Sequence, residues 1–305
     1  MDRRTFVKAA ISSPLAVSAA SVNNILLDKE VSEAQEQSGL NIRFLGTGAA
    51  DWNGKDERGE MRRLSSILIE KHILIDLTPI AVDMIPGDAH PDTIFYTHSH
   101  GDHFNSMTAL RAGIKQVFLS QTWYDMAVKI FQNAATELNC PMPEITPLHI
   151  GQKIKLSNLT ITPVPANHAT ENIFEQALLY LIEKDGARVL YATDTGGLPA
   201  VATRIIGIDA HNPNGRPLTG LIMEATMGMG QDTDFRLFTH TSVDGVMRTV
   251  RVLENTKRYT PPPGQPVFLT HLARTLHGTQ AELDAQLPAP LKAAYDGLEV
   301  VFKPL

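Results

Sequence analysis

Cysteine is nearly missing from this 305-residue chain, where Cys140 stands alone. A single thiol excludes an intramolecular disulfide framework, a cysteine-rich zinc knuckle and an iron–sulfur site. Positive charge is also in short supply: 27 Lys and Arg face 33 Asp and Glu, for a formal net charge of -6. No stable nucleic-acid partner is expected from such a balance. Nor is a membrane span. The apolar stretch Ala9–Ala20 is too short for a bilayer and is weakened by Ser12, Ser13 and Pro14. What is present is ordinary globular usage, 43% hydrophobic and 20% charged, with length enough for a sizeable core. Histidine is well supplied, with 11 residues. Any metal must therefore be held mainly by imidazole and carboxylate.

Residues 1–20, MDRRTFVKAAISSPLAVSAA, join Arg3 and Arg4 to a short apolar run that ends in small residues. This pattern reads as a twin-arginine export signal and implies a periplasmic mature protein. Residues 21–39 are mostly polar and read as a linker, leaving 40–305 as the folded domain.

From Asn41 onward short apolar runs alternate with turn residues. Strands are expected at Ile42–Leu45, Ser66–Glu70, Ile73–Asp76, Thr93–Tyr96, Val117–Leu119, Leu159–Pro163, Ala177–Ile182, Val189–Ala192, Leu218–Met223 and Val267–Leu269. Helices are expected at Asn105–Ala112, Thr122–Leu138, Ser242–Glu254 and Thr279–Leu287, with Thr241 and Asp244 as a capping box for the third. Mixed strands and helices in this order point to an α/β (α+β) fold, a four-layer αββα sandwich.

The strongest local signal is Thr97-His98-Ser99-His100-Gly101-Asp102-His103, directly after an apolar strand. His98 and His100, two apart in an extended stretch, project to one side. A turn at Gly101 can swing Asp102 and His103 toward a second point, so one loop can serve two neighbouring cations. Further donors must come from elsewhere, and His168, Asp194 and His271 each follow an apolar strand. Residues at strand ends converge on a sheet edge. Asp194, with two oxygens, can bridge two cations, and Gly196-Gly197 beside it leaves room for close backbone approach.

The THSHGDH segment resembles the HxHxDH signature of the metallo-β-lactamase superfamily, and His168, Asp194 and His271 follow in the family's order. The resemblance implies one metal held by His98, His100 and His168 and a second by Asp102, His103 and His271, with Asp194 bridging. It implies two divalent ions, Zn or Mn. Phe44-Leu45-Gly46-Thr47-Gly48-Ala49-Ala50, Arg62–Ser66, Ile73–Asp76 and Ala294–Glu299 are similar to segments of the phosphoribosyl cyclic phosphate phosphodiesterases. Those relatives carry a cysteine-rich zinc loop after the first strand, whereas Asp51–Arg63 here holds no cysteine.

The function implied is a dinuclear metal-dependent hydrolase acting on a small phosphodiester, a cyclic one included. Two cations sharing a water make it nucleophilic near neutral pH and neutralise the phosphoryl oxygens. A departing alkoxide also needs a proton. His240, at an expected strand–helix turn, is either the general acid, a phosphate contact, or a neighbour of the helix cap; Asp102 is the alternative proton shuttle. Lactone, ester or amide hydrolysis on the same scaffold is the competing reading, and an iron-dependent oxidoreductase a third. A homodimer is left open. Arg62 and Arg63 are expected either to touch phosphate or to pair with Glu60, and His277 to be near the cleft without an assigned role.

Overall fold

The computed structural model describes residues 39–305. The export signal over 1–20 and all but the last residue of the linker over 21–39 lie outside them. In chain order the elements are β1 (Leu40–Gly46), β2 (Ser66–Ile69), β3 (Ile73–Ile75), β4 (Thr93–Phe95), α1 (Ser106–Arg111), β5 (Gln116–Ser120), α2 (Tyr124–Leu138), β6 (Glu144–Leu148), β7 (Ile154–Leu156) and β8 (Leu159–Pro165). There follow β9 (Leu178–Lys184), β10 (Ala187–Ala192), α3 (Ala200–Ile206), β11 (Gly220–Glu224), α4 (Val243–Asn255), β12 (Val267–Thr270), α5 (Gln280–Gln286), β13 (Leu291–Ala293) and β14 (Glu299–Phe302).

Two seven-stranded sheets result, ordered β14-β1-β2-β3-β4-β5-β6 and β13-β12-β11-β10-β9-β8-β7. Their strands are apolar on both faces because both faces are covered. Ile67, Ile69, Phe95, Tyr180, Ile182, Tyr191 and Phe268 fill the layer between the sheets. Alternate residues Leu68, Leu74, Ile94 and Val117 turn outward onto Ala109 of α1 and Ala127 and Phe131 of α2. On the other side Leu181, Leu190, Leu221 and Leu269 turn outward onto Ala202 of α3, Val246 and Val250 of α4 and Leu283 of α5. Side chains of a strand alternate sides, so continuous apolar runs require a cover on each side. The fold is the expected αββα sandwich.

All ten expected strands are present, and the four that sequence reasoning missed are β6, β7, β13 and β14. These are the four sheet edges. Edge strands are short or half-buried: β7 and β13 have three residues each, β14 alternates exposed and covered positions, and β6 contains Pro147. Proline is tolerated at an edge because one backbone side needs no partner. The capping expectation also shifts. Ser242, not Thr241, caps α4 and accepts from the Gly245 N–H at 3.0 Å. A reciprocal capping box exists instead at Thr279 and Glu282, before α5.

Candidate metal centre

Strand direction brings the donors together. β3 and β4 are parallel, so their C-terminal ends coincide. In the second sheet β8 is antiparallel to β9 and β9 to β10, so β8 and β10 point the same way. β10, β11 and β12 are parallel. Asp76 follows β3, the His98–His103 loop follows β4, His168 follows β8, Asp194 follows β10, Glu224 ends β11, and His271 follows β12. The two sheets are tied at this edge by the Leu178 N–H, which donates to Thr97 O at 2.9 Å, and by the Tyr180 hydroxyl, which donates to Tyr96 O at 2.5 Å. Asp76, Asp194 and His271 have φ of 57°, 53° and 53°. This left-handed conformation ends each strand abruptly; it is found most often in Asn, Asp and His among non-glycine residues.

All seven expected donors meet, in two groups. In the first, His98 Nε2 lies 2.9 Å from His100 Nδ1, which lies 3.2 Å from His168 Nε2. In the second, His103 Nε2 lies 3.4 Å from both Asp102 Oδ2 and His271 Nε2. His271 Nε2 lies 3.5 Å from Asp102 Oδ2. Asp194 stands between them: Oδ2 is 3.0 Å from His103 Nε2, while Oδ1 is 3.3 Å from His271 Nε2 and 3.9 Å from His168 Nε2. Ligands about 2.0–2.2 Å from a tetrahedral zinc ion are roughly 3.3 Å apart, so these spacings fit a cation in each group. Lone pairs of ring nitrogens facing one another are unfavourable unless a cation or a proton lies between them.

The opposite nitrogens are also held, as metal-binding imidazoles require. His98 Nδ1 pairs with the Thr97 hydroxyl at 3.0 Å, and His103 Nδ1 with Asp76 Oδ2 at 2.8 Å. His168 Nδ1 faces Thr239 O at 3.2 Å, and His271 Nδ1 the Thr226 hydroxyl at 2.8 Å. His100 Nε2 is 3.5 Å from Glu171 Oε2. Burial pushes the His98 and His168 pKa values down, keeping their lone pairs available. Burial alone would raise the Asp194 carboxyl, but His271 and His103 hold it well below the ordinary range.

His240 stands beside this group, with Nδ1 3.1 Å from Glu224 Oε2 and 3.8 Å from Asp194 Oδ1. Glu224 is buried and also accepts from the Thr226 hydroxyl at 2.5 Å, the Thr241 N–H at 3.2 Å and the Thr195 N–H. Although burial works against its charge, the Glu224 carboxylate raises the His240 imidazole to about 9. His240 is thus no mere neighbour of the helix cap.

Asp76, Thr97 and Thr226 were not expected to serve the site. The available signal was position alone, since Asp76, like Glu224, is the polar residue at the end of an apolar strand. Gly196 behaves as expected: a Cβ there would lie 2.9 Å from Phe238 O and from Asn167 Nδ2. Gly101 does not. It has open space around it and no left-handed φ, and the turn closes through the His103 and Phe104 N–H groups on His100 O.

The arginines do not pair with Glu60. Arg62 is buried and donates to Thr47 Oγ1, Ala294 O and Gln280 Oε1, while Arg63 binds Asp83 and the Asp296 carboxylate. They fasten the first loop to the C-terminal segment. His277 Nε2 donates to Ala225 O at 2.6 Å. Among the described residues no helix is long and apolar enough to cross a membrane.

Comparison with known proteins follows the same lines. The chain is 28% identical over 120 residues to a UPF0173 metal-dependent hydrolase from Methanopyrus kandleri, covering 36% of this chain and 47% of that one. It is 30% identical over 166 residues to a UPF0173 metal-dependent hydrolase from Thermococcus onnurineus, covering 51% and 62% respectively. It thus spans roughly half to three-fifths of these relatives' length. Among solved structures, a diphosphatase from the PhnP family superposes with a TM-score of 0.59 at 21% identity, over 87% of this chain and 98% of that one. Zn(2+)-bound PqqB from Methylobacterium extorquens does so with 0.61 at 14%, over 85% and 99%. Both likenesses speak for the fold. The model of the beta-lactamase superfamily domain matches residues 77–257, a stretch that carries six of the seven donors together with Glu224 and His240. With more than half of its length matched in this way, the chain belongs to the beta-lactamase superfamily.

Proposed function

We propose that this protein is a metal-dependent hydrolase that cleaves phosphodiesters with two divalent metal ions, Zn or Mn. His98, His100 and His168 would hold one ion, Asp102, His103 and His271 the other, and Asp194 would bridge them. When bound, such a pair acidifies water and neutralises the charge on a phosphoryl group. The observation that carries the reading is the Asp194 carboxylate set between two donor groups, with the Glu224–His240 pair on its flank.

The residues divide the remaining work. Glu224 accepts from Nδ1 of His240, which leaves Nε2 as the nitrogen available to the substrate. Hydrolysis forms one P–O bond to the water oxygen and breaks the P–O bond to the leaving alkoxide. The water gives up its proton, and Nε2 of His240 supplies one to the alkoxide, so the products are a phosphomonoester and an alcohol. Asp102, half-buried beside His103 and His271, is the alternative proton carrier. The likeness to a PhnP-family diphosphatase supports phosphoryl chemistry, as does the resemblance to the cyclic phosphate phosphodiesterases. Export through residues 1–20 would place this activity in the periplasm.

The test is turnover of bis(p-nitrophenyl) phosphate, p-nitrophenyl phosphate, a lactone panel and nitrocefin by metal-loaded protein, with metal content measured. Hydrolysis of the diester is expected. Because p-nitrophenolate leaves without a proton, His240→Ala at unchanged metal content should lose more turnover on methyl phenyl phosphate, with its poorer leaving group, than on bis(p-nitrophenyl) phosphate. Activity confined to lactones or nitrocefin, or iron with a visible absorption band, would overturn the proposal.

A further inference from the structure

We propose that the site takes phosphodiesters with one bulky aromatic or apolar ester group, which packs on Phe174 and Phe238 at its mouth. This rests on the phosphodiesterase reading and names its substrate class. Two loops reach the donors, and each carries an exposed ring one residue from a contact that shapes the centre. Phe174 precedes Glu175, whose carboxylate accepts the Ser99 N–H at 2.8 Å and hydroxyl at 2.6 Å, and Ser99 lies between His98 and His100. Phe238 precedes Thr239, whose carbonyl faces His168 Nδ1 at 3.2 Å, and its own carbonyl accepts from Asn167 Nδ2 at 3.3 Å. Both rings are nevertheless 80% exposed, as are Ile173 and Phe235 nearly or more so at 84% and 77%. Isolated exposed apolar residues are normal, but four in two loops that flank a polar centre mark a contact surface.

One further observation names the occupant. Charge limits what else can bind. In residues 97–105, 166–177, 193–199, 224–242 and 271–277, which bear the donors and the Glu224–His240 pair, the only cationic side chains besides histidine are Arg236 and Arg274. Arg236 binds Asp234 at 3.2 Å and its guanidinium carbon lies 5.6 Å from the centre of the Phe235 ring. Arg274 donates to Asn53 at 2.9 Å. Arg236 is thus neutralised and one N–H of Arg274 is engaged, so these segments offer a terminal phosphate dianion little cationic contact and suit a singly charged diester with an apolar arm.

The experiment compares bis(p-nitrophenyl) phosphate with methyl p-nitrophenyl phosphate on the metal-loaded enzyme. Both lose the same leaving group, so only the retained ester differs. The wild type should favour the diaryl ester, chiefly through a lower KM. Phe174→Ala and Phe238→Ala should each erode that preference about three- to tenfold, read as a rise in KM on the diaryl ester. Val252→Ala, exposed on α4, should leave both substrates unaffected. Equal use of the two esters by wild type overturns the inference alone. So does an equal loss of kcat on both esters in the ring variants, or ring variants that lose sedimentation with phospholipid vesicles while KM holds. No turnover of either ester overturns this inference and the phosphodiesterase reading together.

Discussion

The two donor groups meeting at Asp194 are built differently. His103 and His271 are buried, and their outer nitrogens rest on Asp76 and Thr226, which are buried too. Asp76 is gripped further by the Thr97 N–H at 2.8 Å and the Thr97 hydroxyl at 2.7 Å. His100, in the other group, is partly open, and its outer nitrogen faces Glu171, whose side chain is 88% exposed. His168 leans on a carbonyl of the loop that carries Phe238. One half of the centre is therefore set by the core between strand ends, while in the other only His98 is, and His100 and His168 borrow their order from surface loops. A rigid half holds its geometry without a ligand, and a loop-borne half can adjust to one.

Removing Asp194 should erase the distinction altogether. Asp194→Ala is expected to cost about a thousandfold or more in turnover and to lower metal content in both halves; metal analysis and diester kinetics on the same preparation check it. A variant with full metal and full turnover would falsify the bridging assignment. With the two ions proposed above, the unequal support predicts a two-step response to chelator, in which the His98–His100–His168 group would empty first. Asp76→Asn should weaken metal binding in the buried half by about 10–100-fold and so merge the two steps, as read by metal competition.

His277, bonded to Ala225 O between Glu224 and Thr226, has a pKa that burial lowers to about 4. Its ordinary value is 6.5, so the unfolded chain takes up a proton that the folded chain resists. That stability is full above pH 6.5 and is lost as pH falls from 6.5 toward 4, to a limit of about 3 kcal/mol. Urea unfolding of the chelated protein across this range should show a steeper loss of stability than His277→Gln, in which only the other buried histidines contribute. The smallest effect belongs to the exposed partner. Glu171→Gln should change metal affinity by no more than about fivefold, and a loss as large as that of Asp76→Asn would remove the contrast between the halves.

The fold was legible where apolar runs are long. Ser66–Ile69, Leu178–Lys184 and Ala187–Ala192 are buried on both faces, so their composition alone marks them as central strands. The edges were not: Glu144–Leu148 and Glu299–Phe302 bury one face or less and look like loop sequence. The donors were readable for a related reason. His168, Asp194 and His271 stand where an apolar run stops, and a polar, coordinating residue at a strand end has few structural roles. Glu224 stands in the same kind of place, yet its task depends on His240, sixteen residues away and brought near by the turn before α4.

The identity of the central strands, the layered fold class and the residues able to bind metal were determined by the order of amino acids, because burial on two faces and donor chemistry leave local marks. The tertiary structure alone decided which imidazole nitrogen faces inward, that Asp76 and Thr226 brace the buried half, that Arg62 and Arg63 clasp the C-terminal segment, and that Phe174 and Phe238 are left exposed on the loops that contact Ser99 and His168. Those outcomes depend on strand direction and on loops crossing between two sheets, and no short stretch of chain carries that information.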